Sequence, residues 1–288
     1  MNGPPTMKNV LRALCGTSIV TLGMAAAMPM AQAHAKPALP TPTAAARAAG
    51  ITTAGGAYPG WESKRASSTQ QAPQQMAPMY TSGNAYGVDV SAYQGSVAWG
   101  TLRAEGFQFA YVKATEGTNY TSSRFGSQYS GSYSSGMIRG AYHFALPNQS
   151  SGSYQADYFI AHGGGWSRDG RTLPGALDIE YNPYGSSCYG YGWSGMTSWI
   201  KSFVNRYHYR TGRYPVVYTT YDWWRTCTGN TSALAGLTPF WIAQYSHVPT
   251  QLPAGTRSSY IWQYSQSGGL DKNRFNGTIA GLRSLALR

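Results

Sequence analysis

LPGALDIEY, residues Leu173–Tyr181, holds two of the ten acidic residues in a chain of 288 and sets them two apart inside an apolar run. The run reads as a β-strand. Residues two apart on a strand point to the same side, about 7 Å from each other along the backbone, so Asp178 and Glu180 share one face. The segment that follows is the best amphipathic helix in the chain: Trp193, Met196, Trp199, Ile200, Phe203, Val204 and Tyr207 fall near helical spacing, with Gly212 and Pro215 beyond.

The same order of strand then helix recurs on both sides of this unit. AYGVDVS precedes a helical candidate at Val97–Glu105, FQFAYVKATEG precedes a Ser/Tyr-rich stretch ending at Ser135, and IRGAYHFAL precedes SGSYQADYFIAHGG. After YPVVYTTY come PFWIAQY, SYIWQYS and the segment around GLDKNRF, with little room for full helices between them. Alternating strands and helices predict a parallel sheet, and about eight strands in one domain predict a TIM-like α/β barrel whose last helices are shortened or lost. The rival is an open doubly wound sheet, but no G-x-G-x-x-G or P-loop follows any strand.

Upstream of the barrel the composition changes twice. Lys8 and Arg12 precede the apolar run ALCGTSIVTLGMAAAMPMA, and small-residue sites lie around Ala33 and Ala35. Residues 1–35 therefore read as a secretory signal peptide that directs the chain to the extracellular space, and Met7 offers a second start. No other stretch has the roughly 20 apolar residues of a membrane span. Residues 36–83, rich in Ala, Pro, Thr, Ser and Gln, are too poor in large aliphatics to build a core and read as a disordered linker or a propeptide. Residues 84–288 read as one folded domain.

Charge and cysteines constrain the setting. The formal charge is +12, and residues 84–288 carry sixteen basic against nine acidic side chains, which suits an anionic polymer or surface: nucleic acid, lipid and bacterial cell wall all qualify. Cys15 leaves with the signal, so Cys188 and Cys227 form the expected disulfide of an exported protein.

Two close carboxyls in a low-dielectric cleft cannot both ionise easily, so one is expected to hold its proton near neutral pH and act as a general acid. Asp178 and Glu180 sit at the C-terminal end of their strand, the rim where barrel enzymes keep their chemistry. Asp89 ends the first strand and Asp271 lies near the last, which neighbour each other in a closed barrel, so four carboxylates can converge. Each Asp could instead cap a turn, but four strand-end acids of nine favour a site. Twenty-three Tyr exceed what packing requires and suit sugar faces at a cleft rim. Aromatics with basic residues also suit single-stranded nucleic acid, but carboxylates at the site would repel phosphates, so no nucleic acid is expected as partner. His143, inside a strand, reads as a packed, hydrogen-bonded residue. His162, His208 and His247 have no metal-ligand spacing, and neither metal nor cofactor is expected.

YGVDVSAYQG, AYVKATEG, GAYHFA, LDIEY, YPVVYTTY, FWIAQYS and IWQYS followed by GLDKNRF, taken together and in this order, resemble glycoside hydrolase family 25, the Chalaropsis-type lysozymes, in a secreted actinobacterial style. The resemblance runs from about Tyr86 to the C-terminus. It implies a (β/α)5(β)3 barrel that acts as a monomer on peptidoglycan glycan strands, cleaving the β-1,4 bond between N-acetylmuramic acid and N-acetylglucosamine. It further implies Glu180 as general acid, Asp178 as the partner that orients the reacting sugar, and Asp89 and Asp271 as positioning and electrostatic groups. Tyr142, Tyr218 and Gln244 match its substrate-contacting cleft positions, and Tyr93 and Trp241 are further candidates for sugar contact. A sugar-binding module, a basic nuclease and a chitinase-like barrel are the alternatives; the last lacks its D-x-x-D-x-D-x-E series here.

Overall fold

The strand and helix alternation is realised as a closed barrel. The computed structural model describes residues 39–66, 83–245 and 248–288; the expected signal peptide and His247 lie outside the described residues. Two short helices, α1 (Ala44–Ala48) and α2 (Trp61–Ala66), precede the strands β1 (Ala85–Val90), β2 (Phe107–Glu116), β3 (Tyr120–Thr121), β4 (Ile138–Phe144), β5 (Ala176–Asp178), β6 (Val216–Thr220), β7 (Phe240–Ala243), β8 (Ile261–Ser265) and β9 (Asp271–Phe275). Parallel pairing runs from β1 through β2, β4, β5, β6 and β7 to β8. β9 is antiparallel to both β8 and β1 and closes the ring, while β3 is a hairpin appended to β2. Helices α3 (Trp99–Ala104), α4 (Phe125–Ser134), α5 (Gly152–Phe159), α6 (Trp193–Thr211) and α7 (Tyr221–Thr228) fill the first five connections around the ring, and α8 (Ile279–Leu287) follows the last strand. Five βα units followed by three strands give the (β/α)5(β)3 order.

Strand alternation divides the residues between two layers. Phe109, Tyr111, Tyr142, Val216, Tyr218, Trp241, Ile261 and Phe275 fill the interior. Their rings need room, and two glycines supply it: a Cβ on Gly87 would lie 2.5 Å from the Phe109 ring, and one on Gly140 would lie 2.3 Å from Tyr111. On the outer layer α6 buries Met196, Trp199, Ile200, Phe203, Val204 and Tyr207. Trp193, at the first turn, departs from the expected stripe; it is 64% exposed and its indole N–H donates to the Thr226 carbonyl. Gly212, in the left-handed region at φ 71°, ends the helix.

His143 faces this outer layer. Its ring lies between Phe159 and Phe203, with Nδ1 2.8 Å from Thr115 Oγ1 and Nε2 2.9 Å from Gln155 Oε1. Desolvation pushes its pKa down to about 4, so it is neutral at physiological pH and points away from the carboxylates.

Cys188, in the loop after β5, is bonded to Cys227 on α7, with Cα atoms 5.3 Å apart. The bridge ties the loop beyond the two central acids to the helix after β6. A crosslink spanning 39 residues removes loop entropy from the unfolded chain worth about 4 kcal/mol. The double substitution of Cys188 and Cys227 by Ser is therefore expected to lower the melting temperature by roughly 8 to 16 °C. Calorimetry of both forms checks this, and unchanged melting would mean that the loop is held by packing alone.

Candidate active site

Three strands deliver the four predicted acids to one rim. Asp89 is the penultimate residue of β1 and Asp178 the last of β5. Beyond Asp178 the ladder continues, because the Ile179 N–H donates to the Tyr218 carbonyl at 3.0 Å. Glu180 is thereby held on the same side as Asp178. Asp271 begins β9, and because that strand runs antiparallel its first residue lies at the rim where the parallel strands end. Asp89 and Asp271 are direct register partners. All four acids are at most 3% exposed.

Their electrostatics differ. Neither oxygen of Asp178 meets an N–H donor or a hydroxyl among the described residues. Its partner is the Glu180 carboxyl, in a hydrogen bond that lowers the pKa of Asp178 and raises that of Glu180. Two carboxyl groups can bond only if one keeps a proton, so the pair together holds one proton and one negative charge. Burial pushes both groups well above the ordinary carboxylate range; the charge of Asp178 raises Glu180 further, and Lys113 acts in the opposite sense on Asp178. The site therefore holds a neutral acid beside a carboxylate.

Asp89 is pushed up to about 7 by desolvation, against two hydrogen bonds to its Oδ2, from Gln263 Nε2 at 3.0 Å and Asn273 Nδ2 at 2.6 Å. Gln263 is itself fixed, because its Oε1 accepts from Tyr218 at 2.8 Å and from Tyr245 at 2.5 Å. Asn273 Oδ1 accepts from the Trp241 indole at 2.8 Å. A shell of amides and phenols thus orients the acids from below.

The expected substrate contacts divide. Tyr142 has a buried hydroxyl with no partner among the described residues, and Asp89, Asp178 and Asp271 are among the charges that raise its pKa. Tyr218 is beside them, bonded to Gln263. Gln244 lines a cavity of about 370 Å3 with Tyr221, Asp222, Arg225 and Gln251. Tyr93 stands 60% exposed at the rim. Trp241 is different: it lies in the filled interior, its ring 5.0 Å from Tyr111 and 4.9 Å from Tyr218, with its N–H used by Asn273. It supports the site from beneath and is not brought to the cleft surface.

Sequence reading missed Lys113 and Glu116, both inside AYVKATEG. They form a buried ion pair of 2.5 Å, and Lys113 is the cation that acts on Asp178. A Lys in an otherwise apolar strand two residues after Tyr111 was the available signal. Gln263 and Asn273 were missed as well, since neutral amides carry none.

The family model of glycosyl hydrolases family 25 matches residues 88–272, and that span contains all four acids. The chain belongs to this family. Lysozyme M1 of Streptomyces globisporus is 50% identical over 218 residues, covering 73% of this chain and 74% of the relative. The N,O-diacetylmuramidase of a Chalaropsis species is 46% identical over 207 residues, covering 69% of this chain and 98% of the relative. The crystal structure of a bacterial lysozyme from Streptomyces coelicolor superposes with a TM-score of 0.69 at 50% identity, covering 72% of this chain and 99% of that one. Membership makes the protein a glycoside hydrolase. Among the described residues no helix is long and apolar enough to cross a membrane, and no group of three His, Cys, Asp or Glu could hold a metal ion.

The raised pKa of Asp89 couples stability to pH. The folded chain keeps this proton up to about 7 and the unfolded chain loses it near 3.8, so the group's contribution is present below about pH 4 and is lost as pH rises through 7. Asp89→Asn keeps an acceptor for Gln263 and Asn273 and is expected to remove about 4 kcal/mol of this pH-dependent loss. Urea denaturation from pH 4 to 8 checks it: parallel curves for both forms would contradict a protonated Asp89.

Proposed function

We propose that the protein is a secreted muramidase, a lysozyme that hydrolyses the β-1,4 bond between N-acetylmuramic acid and N-acetylglucosamine in peptidoglycan. The buried pair of Asp178 and Glu180 at the barrel rim, both pushed well above the ordinary carboxylate range, carries this reading. Glu180, neutral and desolvated, protonates the leaving glycosidic oxygen; Asp178 stays anionic beside it. The relatives named lysozyme and N,O-diacetylmuramidase support the substrate class.

The geometry favours one route among three. A covalent enzyme intermediate prefers carboxyls about 5 to 5.5 Å apart and inversion prefers about 6.5 to 9.5 Å, with water between. Here Asp178 and Glu180 are two residues apart and bonded to each other, closer than either separation. We therefore assign the attack to the substrate's own 2-acetamido oxygen. Asp178 accepts the acetamido N–H and stabilises the charge that develops on it, the bond to the leaving oxygen breaks as Glu180 gives up its proton, and Glu180 then takes a proton from the water that opens the ring intermediate. The product retains its configuration. Asp89, where it ionises above about pH 7, adds negative field where the oxocarbenium-like charge forms, Asp271 lies opposite it on β9, and Tyr142 offers its unpaired hydroxyl to the sugar.

Residues 1–35 would export the enzyme as a monomer to the wall, cleaved near Ala33 or Ala35, and the positive charge of residues 84–288 would attract the anionic wall polymer.

Residues 83–288, wild type and Glu180→Gln, are to be incubated with purified peptidoglycan and the new chain ends read by mass spectrometry. Wild type is expected to release reducing-end muramic acid, and Glu180→Gln to be slower by roughly 100- to 10,000-fold while folded. Reducing-end N-acetylglucosamine would move the cut to the other bond, and full activity in the variant would remove Glu180 from the acid role.

A further inference from the structure

Residues 39–66 lie ahead of the span matched by the family model, and 28% of the chain falls outside the likeness to the Streptomyces coelicolor structure. The segment was expected to be a linker or propeptide without a core of its own. Residues 39–66 have no core of their own and are packed on the barrel. Ala46 and Ile51 are fully buried, and Tyr58 and Trp61 are 2% exposed, all within one apolar cluster that also holds α6 and α7 residues.

AGGAYPGW, residues 54–61, runs over the acids themselves. The Gly60 N–H donates to Glu180 Oε1 at 2.8 Å, occupying an oxygen of the proposed proton donor. Gln266 Nε2 donates to the Pro59 and Gly60 carbonyls at 3.3 and 3.2 Å, and its Oε1 accepts from Ser63 Oγ at 2.6 Å. Lys113 Nζ donates to the Gly55 carbonyl at 3.0 Å and to that of Ala57, while Glu116 Oε1 accepts from the Gly55 N–H at 3.1 Å. Tyr58 stacks on Tyr93 at 5.8 Å and feels the charges of Asp271 and Glu180. Trp61 and Thr43 fasten the two ends, donating to the Tyr181 and Pro183 carbonyls at 3.1 and 2.8 Å.

These contacts occupy groups that a glycan in the cleft would meet: the ring face of Tyr93, the carboxyl of Glu180 and the ammonium of Lys113. The fit is close enough to dictate sequence. Gly60 sits at φ +74°, and a Cβ there would be 2.0 Å from Tyr245 Oη and 2.9 Å from Gln263 Oε1; at Gly55, φ +83°, it would be 2.1 Å from the Tyr120 ring.

We propose that Leu39–Ala66 is an autoinhibitory plug, a segment of the chain that fills the sugar cleft, engages Glu180 and keeps the enzyme latent until an endopeptidase hydrolyses a peptide bond between plug and barrel. One water is added across that bond, and the freed segment is then held only by its contacts with the cleft, in competition with substrate. The inference rests on the muramidase reading for the role of Glu180.

Three forms test it: the chain from Lys36, the same chain with Gly60→Leu, and residues 83–288, a span comparable to the solved lysozyme that folds without such a segment. Each is assayed for release of reducing ends from peptidoglycan and, by calorimetry, for binding of a soluble peptidoglycan tetrasaccharide. The barrel and the Gly60→Leu chain are expected to work at least about tenfold faster than the chain from Lys36 and to bind the tetrasaccharide where that chain does not. A synthetic peptide of residues 39–66 is expected to raise the KM of the barrel and leave kcat unchanged. Equal rates and equal binding by the Lys36 chain and the barrel would overturn the plug. Binding without cleavage by the barrel would overturn the muramidase reading while the difference in binding still decided the plug, and neither binding nor cleavage would overturn both.

Discussion

Burying several carboxylates at one barrel rim is the constraint on which the structure turns. An isolated buried carboxylate is costly to ionise, and four acids at most 3% exposed compound the cost through their mutual repulsion. Asp178 and Glu180 relieve it by sharing a proton, and Asp89 by holding its own up to about 7 and taking two amide donors. Lys113 adds a buried positive charge close by. The interior rings below have polar tips aimed upward: Trp241 reaches Asn273, Tyr218 reaches Gln263, and those two amides reach Asp89. Core packing and site electrostatics are thus one network.

Barrel closure is what makes the network possible. Asp89 and Asp178 lie on strands far apart in the chain, and Asp271 joins them only because β9 turns back antiparallel and begins where the others end. A ninth strand running parallel would have placed Asp271 at the opposite rim.

Much of this was legible from residue patterns. The period-two spacing of Asp178 and Glu180 gave their common face, and the helical spacing from Met196 to Tyr207 gave the buried stripe of α6. The 3.6-residue period at Trp193 misled, because a first-turn position can lie beyond the body it packs against. Trp241 misled in the opposite way: strand alternation says that it points inward, but not how deep. Lys113 escaped because a lone Lys in a strand reads as surface until the barrel closes around it. The plug was least legible. Alanine and glycine make a poor core alone, and only the barrel's own apolar surface lets Ile51, Tyr58 and Trp61 bury theirs.

The shared proton is the central claim, and its most direct measurement is a carbon-13 NMR titration of the Asp178 and Glu180 carboxyls in the folded protein. Glu180 is expected to keep its proton well above its ordinary value of 4.5, with Asp178 responding in the same transition as its partner. Independent titrations, with Glu180 ionising near 4.5 and Asp178 near 3.8, would contradict the account.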